Sequence, residues 1–206
     1  MNKNNRAILY GMVIGDGYIR NNRPSFSIIH GENQYEYIKH KADLLINIFN
    51  KPVNVHKFNN NGYVGYRLET SSKYFSTIRK KLYVDNTKNI AKSLEYLDEH
   101  AIALWYMDDG SLWAKKRNDV IHAYELQISI YTDSLDEINT IICWFKSNYD
   151  LTFTIKKHKN KYSIRCGTKE ARKFINIVKP YIIDSMKYKI TMQDIHFIKF
   201  TTTATA

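Results

Sequence analysis

The chain has 206 residues, of which 44% are hydrophobic and 14% aromatic, with only three prolines and eight glycines. This composition excludes an intrinsically disordered chain, and the length allows one large domain or two small ones, each with a core. The 31 Lys and Arg residues exceed the 20 Asp and Glu residues, giving a formal net charge of +11. An excess of this size favours a polyanionic partner, nucleic acid first, although solvated surface lysines alone would also produce it.

Cysteines and apolar stretches indicate the cellular setting. Cys143 and Cys166 are the only cysteines, and neither lies in a spacing typical of a zinc site, so we expect two buried thiols in a reducing compartment. The longest apolar stretch, Ala101 to Met107, is too short to cross a bilayer, and the N-terminal MNKNNRA lacks a signal-peptide core. We therefore expect an intracellular protein, not secreted and without a membrane partner, from an organelle, a phage-infected cell or a bacterium.

The first segment with a clear pattern is the apolar run ILYGMVIGDGYI, which begins at Ile8 and contains Asp16-Gly17. A polar loop, RNNR, and a strand-like FSII come next. The stretch NQYEYIKHKADLLINIFN has the spacing of an amphipathic helix. The stretch VNVHKFNNNGYVGYRLET predicts a hairpin that turns at Asn60-Asn61-Gly62, and YFSTIRKKLYV predicts a final helix.

The second part of the chain repeats this order, beginning with AIALWYMDDGSLW at Ala101. We expect AKKRND to be a polar loop and YELQISIY to be a strand. The helix SLDEINTIICWFKSNYDL opens with Ser134 and Glu137 spaced as a capping box. A hairpin around Asn160, in FTIKKHKNKYSIRC, and a last helix, EARKFINIVKPYI, complete the repeat.

Aligning Asp16-Gly17 on Asp109-Gly110 gives an offset of 109 minus 16, or 93 residues, about half the chain. The sequence therefore predicts a mixed fold of the α/β (α+β) class, with two halves related by pseudo-two-fold symmetry. We expect a first repeat over residues 1–98 and a second over residues 99–206, joined in one compact monomer. A chance match between two generic α/β segments is the alternative, and the paired Asp-Gly motifs argue against it.

The two motifs suit a pair of helices in close contact. Gly11 and Gly15, four residues apart, leave one strip of the first helix without side chains, and Ala103 is the small residue of the second. We expect Gly17 and Gly110 to be left-handed residues that end the two helices. Helices that pack this way would bring Asp16 and Asp109 together at their C-terminal ends.

Two carboxylates at helix C-termini repel each other and face the negative ends of the helix dipoles. A divalent cation resolves this conflict, because Mg²⁺ prefers oxygen ligands and can activate water for phosphodiester cleavage. One Asp-Gly alone would more often be a simple turn. Two at matching positions of a duplicated basic chain favour a metal site formed by Asp16 and Asp109, with Mn²⁺ expected to substitute for Mg²⁺.

The segments LYGMVIGDG and IALWYMDDG resemble the two motifs of single-chain LAGLIDADG homing endonucleases, and the resemblance spans essentially the whole chain. It implies that the eighth motif residue, here Asp16 and Asp109, is the catalytic, metal-binding aspartate. It also implies saddle-like antiparallel sheets backed by helices and joined by the two motif helices. Tyr10 and Leu104 depart from the motif, where the family has a small residue and a glycine.

The resemblance further implies a lysine from each half near the scissile phosphates. Lys88 in LYVDNTKNI and Lys189 in PYIIDSMKYKI match these positions, with Lys187 a close rival of Lys189. Each would stabilise developing phosphate charge or position water. A solvated surface lysine is the alternative at every one of these positions.

Alternate residues of an antiparallel strand lie on one face, so the strands and hairpins can present polar side chains to a DNA groove. The alternative for each residue is an ordinary exposed polar position. The predicted DNA contacts are Arg20, Asn21, Arg23, Ser25, Ser27, Lys57, Asn59, Asn60, Arg67 and Glu69 in the first half and Lys115, Lys116, Arg117, Glu125, Gln127, Ser129, Lys156, His158, Asn160 and Arg165 in the second.

The resemblance thus implies a Mg²⁺-dependent homing endonuclease that cuts both strands of a long double-stranded DNA site across the minor groove and leaves 3′ overhangs. One alternative is a maturase of the same fold, whose partner would be the host intron RNA. A second alternative is a DNA-binding protein without catalysis, which would not need paired carboxylates at helix ends.

Overall fold

The computed structural model describes residues 1–159 and 161–192, and we call residues 1–98 the first half and the described residues from 99 onward the second half. A long apolar helix opens the first half, and a sheet with two further helices follows. The elements are α1 (Lys3–Ile14), β1 (Tyr18–Ile19), β2 (Ser25–Gly31), α2 (Tyr35–Phe49), β3 (Val55–Asn60), β4 (Tyr63–Ser71), α3 (Lys73–Leu82), β5 (Tyr83–Val84) and β6 (Thr87–Lys88), with 3₁₀ segments at Glu32–Gln34 and Ile90–Tyr96.

The second half repeats the same succession of elements. It consists of α4 (Glu99–Asp109), β7 (Gly110–Arg117), β8 (Val120–Thr132), α5 (Leu135–Tyr149), β9 (Thr154–His158), β10 (Lys161–Gly167) and α6 (Thr168–Val178), with 3₁₀ segments at Lys179–Tyr181 and Asp184–Lys189. The four-stranded sheets have the orders β1-β2-β4-β3 and β7-β8-β10-β9, with antiparallel pairing in both. The predicted mixed fold with a repeated antiparallel sheet is confirmed.

Two pairs of equivalent elements allow residues of the halves to be matched. Helices α2 and α5 both have 15 residues and both end at a left-handed cap, Asn50 and Asp150, which gives an offset of 100. Strands β2 and β8 share this offset, because Tyr18 pairs with Ser27 as Ser111 pairs with Gln127. In the motif helices the offset is 93, as the aspartates require.

Helices α1 and α4 form the centre of the molecule. Residues 7–14 of α1 and 101–107 of α4 are all buried. The two backbones meet at Gly11, where an added Cβ would lie 2.7 Å from the Cα and the carbonyl oxygen of Ala101. The predicted close approach at the first glycine is therefore confirmed, with Ala101 rather than Ala103 at the point of contact. No helix in the described part of the chain is long and apolar enough to cross a membrane.

The glycines that end the motifs act differently from the prediction. The C-cap residue after α1 is Gly15, with φ −74°, and that after α4 is Gly110, with φ −85°. Neither these glycines nor Gly17 has a positive φ, so the left-handed cap predicted at Gly17 and Gly110 is wrong. Glycine is needed there for space, because a Cβ at Gly17 would overlap the Met12 carbonyl and the Phe26 ring. A Cβ at Gly110 would likewise overlap the Tyr106 ring.

Three further expectations need correction. Residues 114–117 of the predicted loop AKKRND belong to β7, and only Asn118 and Asp119, both with positive φ, form the turn of that hairpin. Ser134 caps α5 as predicted, but the Glu137 carboxylate accepts the backbone N–H of Ile90 (2.5 Å) instead of completing the box. Cys143 is exposed because it lies on the outer side of α5, whereas Cys166 is buried as expected.

Candidate active site

Asp16 and Asp109 lie at the C-terminal ends of the motif helices, Asp16 two residues past the end of α1 and Asp109 as the last residue of α4. Both line a single cavity of about 410 Å³, together with Lys88. Because the two helices cross in the core, aspartates that are 93 residues apart open into the same space.

The electrostatics of this cavity favour a cation. Burial, and then the carboxylates of Asp108 and Asp16, raise the pKa of Asp109 to about 7. The Asp16 side chain is 44% exposed, yet the protein packed around it and the Asp108 carboxylate also raise its pKa above the usual range. A bound divalent cation would remove the repulsion between these carboxylates, and their oxygens are the ligand type that Mg²⁺ prefers.

Two lysines reach the helix ends from opposite sides. Lys88, at the end of β6, donates from Nζ to the carbonyl oxygen of Gly15 (2.5 Å). Lys189 donates to the carbonyl oxygens of Met107 and Asp108, the latter at 3.1 Å. Burial lowers the pKa of each lysine, and the nearby carboxylates partly oppose that change. Lys187 instead pairs with Asp184 (2.6 Å) in solvent, so the geometry favours Lys189 for the second position.

Three polar residues that the sequence reasoning missed lie directly beneath Asp16. His30, Lys41 and Asp108 have side chains with 2%, 0% and 0% exposure, and the Lys41 ammonium contacts Asp108 Oδ1 (2.6 Å) and His30 Nε2 (3.1 Å). Asp16, His30 and Asp108 stand close enough together to suggest a metal site. The Lys41 ammonium already lies between His30 and Asp108, so these two side chains are paired with an internal cation, whereas Asp16 and Asp109 share the open cavity.

The first sheet divides its predicted DNA contacts between two faces. Ser27, Glu69 and Arg67 share the exposed face, as the pairings Ser27–Glu69 and His56–Arg67 require. Ser25 and Asn60 follow the same alternation, and Arg20 joins this face through its ion pair with Glu69 (3.0 Å). Arg23 and Asn21 lie in the loop between β1 and β2, beside a cavity of about 550 Å³.

Lys57 and Asn59 are the exceptions. Lys57 pairs with Tyr66, one residue out of phase with Arg67, and therefore points to the opposite side of the sheet, where its Nζ contacts Glu32 (3.2 Å). Asn59 has the same phase, and its side chain accepts the Gly62 N–H in the hairpin turn. Strand alternation therefore places these two predicted contacts on the other side of the sheet from Arg67 and Glu69.

The second sheet gathers its predicted contacts around one carboxylate. Glu125 accepts from Lys115 (2.7 Å), Lys156 (3.3 Å) and Arg165 (3.3 Å) on a single face, and Lys115 and then Lys156 lower its pKa. Gln127 and Ser129 alternate with the buried residues of β8 and so lie on the same face, and His158 follows Lys156 there. A register shift after Lys115 interrupts β7 before Lys116 and Arg117, which are exposed at the hairpin end. Asn160 lies outside the described residues.

The polar faces also carry large side chains that were not predicted. Tyr18 pairs with Ser27 and is 49% exposed, and Trp113 pairs with Glu125 and is 61% exposed. His56 pairs with Arg67. The available signal was that each of these residues is in phase with the polar residues of its strand. A core residue would have the opposite phase.

The chain is similar to known proteins over most of its length. The model of the LAGLIDADG DNA endonuclease family matches residues 6–174. A probable intron-encoded endonuclease 1 from Wickerhamomyces canadensis is 28% identical over 204 residues, covering 92% of this chain and 85% of its own. The cytochrome b mRNA maturase bI2 from Debaryomyces hansenii is 23% identical over 206 residues, covering 92% of this chain and 74% of its own.

Among solved structures, that of the homing endonuclease I-WcaI bound to its DNA recognition sequence is similar over almost the full length. It superposes with a TM-score of 0.74 at 26% identity, covering 94% of this chain and 88% of the other. The similarity includes both sheets and both motif helices, since little of either chain is left uncovered.

Proposed function

Because the chain belongs to the LAGLIDADG DNA endonuclease family, we propose that it is a site-specific homing endonuclease that cuts both strands of a long DNA target. The observation that carries the proposal is the shared cavity into which Asp16 and Asp109 open from two different motif helices. One carboxylate from each half at a common point is the arrangement needed to act on two strands with one protein molecule.

In this proposal Asp16 and Asp109 hold Mg²⁺, and Mn²⁺ substitutes for it. Their carboxyl groups open into one cavity, where burial, and then the nearby Asp108 and Asp16 carboxylates, raise the pKa of Asp109. A metal held by these two residues would supply an activated water and would neutralise charge on the departing oxygen. The protein's own task is to hold both carboxyl groups at the cavity, where a bound cation would favour their ionised forms.

Lys88 and Lys189 provide fixed positive charge beside the carboxylates. Each is tied to a carbonyl at the end of a motif helix, so its ammonium group is held within reach of the cavity before DNA arrives. A cation that is already positioned stabilises the charge that develops on the phosphate without further reorganisation. We assign the two lysines this role.

DNA recognition is assigned to the exposed faces of the two sheets. Arg67 and Glu69 on one sheet, and Glu125 and Arg165 on the other, offer donors and acceptors to base edges in the major groove. The aspartates then lie over the minor groove between the two contacted segments, and cleavage there leaves 3′ overhangs. Lysine and arginine side chains also contact the DNA phosphates, so binding weakens steeply as the salt concentration rises.

The protein acts as a monomer in this proposal. Residues 1–98 and 99–206 are its two repeats, and the matching strand orders of the two sheets support a boundary near Asp98, which caps α4. Each repeat provides one motif helix, one aspartate and one DNA-binding sheet. A single chain therefore carries everything that cleavage of two strands requires.

The test is to incubate the purified protein with Mg²⁺ and genomic DNA that lacks the intron or other element encoding the protein, and then to sequence all new double-strand ends. One recurrent site with 3′ overhangs that disappears in EDTA supports the proposal and identifies the target. Nicks on one strand only, or ends at unrelated sequences, would contradict it.

An intron RNA maturase is the second candidate, and it is favoured by the similarity to the Debaryomyces maturase. In that case the folded protein produces no DNA ends and binds the host intron RNA. Binding to DNA without any cleavage and without RNA binding would indicate a non-catalytic DNA-binding protein.

A further inference from the structure

The cluster beneath Asp16 belongs to only one of the two halves. Matching the halves by their register places Ile130 at the position of His30 and Ile141 at that of Lys41, and both isoleucines are buried. In the motif helices, Gly15 matches Asp108. Equivalent positions of the fold therefore carry polar or charged side chains in the first set and apolar side chains, or the glycine hydrogen, in the second.

This difference argues that the cluster has a task other than stability. A buried ion pair is costly to desolvate, and apolar side chains of similar volume are commonly neutral or stabilising replacements. The second half of this chain makes that replacement at Ile130 and Ile141 and still forms the same sheet and helices. Packing alone does not require His30, Lys41 and Asp108.

Besides its contacts with Tyr37 and Gln34, the cluster lies against Asp16. Asp108 reaches across from α4, and its Oδ2 accepts the backbone N–H of Asp16 (2.9 Å). The absence of a side chain at Gly15 makes room for this carboxylate, because a Cβ there would overlap it. Asp108 thus fixes the backbone from which the Asp16 carboxylate extends.

His30 acts on the Asp16 carboxylate itself. An ammonium group has only donors, so the 3.1 Å contact with Lys41 Nζ makes His30 Nε2 the acceptor and leaves the ring proton on Nδ1. That Nδ1 lies 3.7 Å from Asp16 Oδ2, which is beyond hydrogen-bond length, and a side-chain hydrogen bond with Gln34 also holds the ring. The ring therefore stands against one carboxylate oxygen of Asp16 as a fixed polar neighbour.

We propose that Asp108, Lys41 and His30 are positioning residues that orient Asp16 alone, so that the two strand-cleaving centres of this enzyme are unequal. The inference rests on the proposed endonuclease function. Cleavage of one DNA strand depends on the cluster, whereas cleavage of the other depends on Asp109, which has an aliphatic environment at the matching positions.

The variant that tests this is Lys41→Met combined with Asp108→Asn, which removes both charges together and leaves no buried charge unpaired. Its matched control is Ile141→Met, a swap of similar volume at the equivalent position of the second half. Each protein is given a duplex carrying the recovered target, labelled differently on the two strands, and the two cleavage rates are measured separately.

We expect the double variant to cut one strand about 10- to 100-fold more slowly, the loss that misplacing a catalytic group produces. The other strand should be cut at close to the normal rate, so that nicked DNA accumulates, and Ile141→Met should leave the ratio of rates unchanged. Equal slowing of both strands, or no change in either, would overturn the proposal. If the unmodified protein cuts neither strand, the proposed function itself fails.

A second measurement needs neither DNA nor metal. In metal-free protein labelled with ¹⁵N-histidine, NMR should show His30 as the Nδ1–H tautomer, and Lys41→Met should abolish that preference. An Nε2–H tautomer in the unmodified protein would contradict the assigned orientation even if cleavage is observed. This result separates the positioning role from the endonuclease activity.

Discussion

The backbones of Gly11 and Ala101 are in contact where the two motif helices cross, since a Cβ on Gly11 would lie 2.7 Å from Ala101 Cα. Neither backbone can retreat, because the surrounding residues of both helices are buried. Overpacking at such a point costs about 1–3 kcal/mol. We expect Gly11→Ala to lower the free energy of unfolding by that amount in urea titrations.

Gly167→Ala is the control for this variant. Gly167 has φ −84° and open space around its Cα, so alanine there meets no neighbour and should cost only the preference for glycine at the N-cap of α6, well below the loss at Gly11. Similar losses at Gly11 and Gly167 would show that the effect is not due to the helix crossing.

Asp16→Asn and Asp109→Asn should each abolish double-strand cleavage while DNA binding remains largely intact, because the amide cannot supply the negative charge that holds a divalent cation. Cleavage of a target plasmid and gel-shift binding in Ca²⁺ measure the two effects. Asp119→Asn, in the exposed β7–β8 turn, is the control and should cut normally. Full activity in a protein carrying both active-site changes would end the proposed mechanism.

Lys88→Met and Lys189→Met should lower kcat about a hundredfold with little change in KM, since each ammonium stabilises charge that develops only during cleavage. Lys187→Met is the matched control, because its Nζ pairs with Asp184 in solvent. A larger loss for Lys187→Met than for Lys189→Met would reverse the assignment at the second position. Single-turnover kinetics at saturating DNA give the comparison.

The pKa of Asp109 predicts how the metal-free protein responds to pH. The carboxyl has an ordinary value of 3.8 and is raised to about 7 in the folded protein, so the folded state binds the proton more tightly than the unfolded state. Its contribution to stability is therefore complete below pH 3.8 and is lost as pH rises towards 7. Asp109→Asn removes this loss.

We accordingly expect metal-free Asp109→Asn to melt at a higher temperature than the unmodified protein at pH 8, and the difference to shrink as pH falls towards 4. Thermal unfolding in EDTA across this range is the measurement. A difference that is constant with pH would mean that Asp109 titrates normally. Added Mg²⁺ should stabilise the unmodified protein and not the variant.

Arg67→Ala should weaken binding to the target. If the guanidinium contacts phosphate, the slope of log affinity against log salt concentration should change by about 1. If it contacts a base edge, the variant should lose its preference at one base position. Lys57→Ala removes a similar charge from the other side of the same sheet. It should have a much smaller effect on binding. Equal effects at both positions would show that net charge, and not the face, governs recognition.

The repeat, the helix pairing and the position of the two aspartates could be predicted because they leave periodic signals. Apolar runs ending in Asp-Gly recur 93 residues apart, and the hairpin turns fall at Asn61-Gly62 and near the end of β9. Such patterns need only local propensity and spacing, which a sequence displays directly.

The cluster under Asp16 could not be read in the same way. Lys41 stands on the buried face of α2, three residues after Ile38 and four before Leu45, and a lysine at that position was the one available signal. Asp108 was overlooked beside Asp109, since the sequence does not tell which of two adjacent carboxylates enters the core. Long-range contacts between α4, α2 and β2 decide that.

Tyr37 and Glu137 occupy matching positions of α2 and α5 and each reaches into the opposite half. The Tyr37 hydroxyl donates to the Leu104 carbonyl of α4, at 3.1 Å, while Glu137 accepts the Ile90 N–H from the end of the first half. The two repeats therefore carry different, complementary contacts at the interface between them. If they are produced as separate polypeptides, we expect them to form a heterodimer and to form homodimers poorly. Native mass spectrometry of the mixture measures both species.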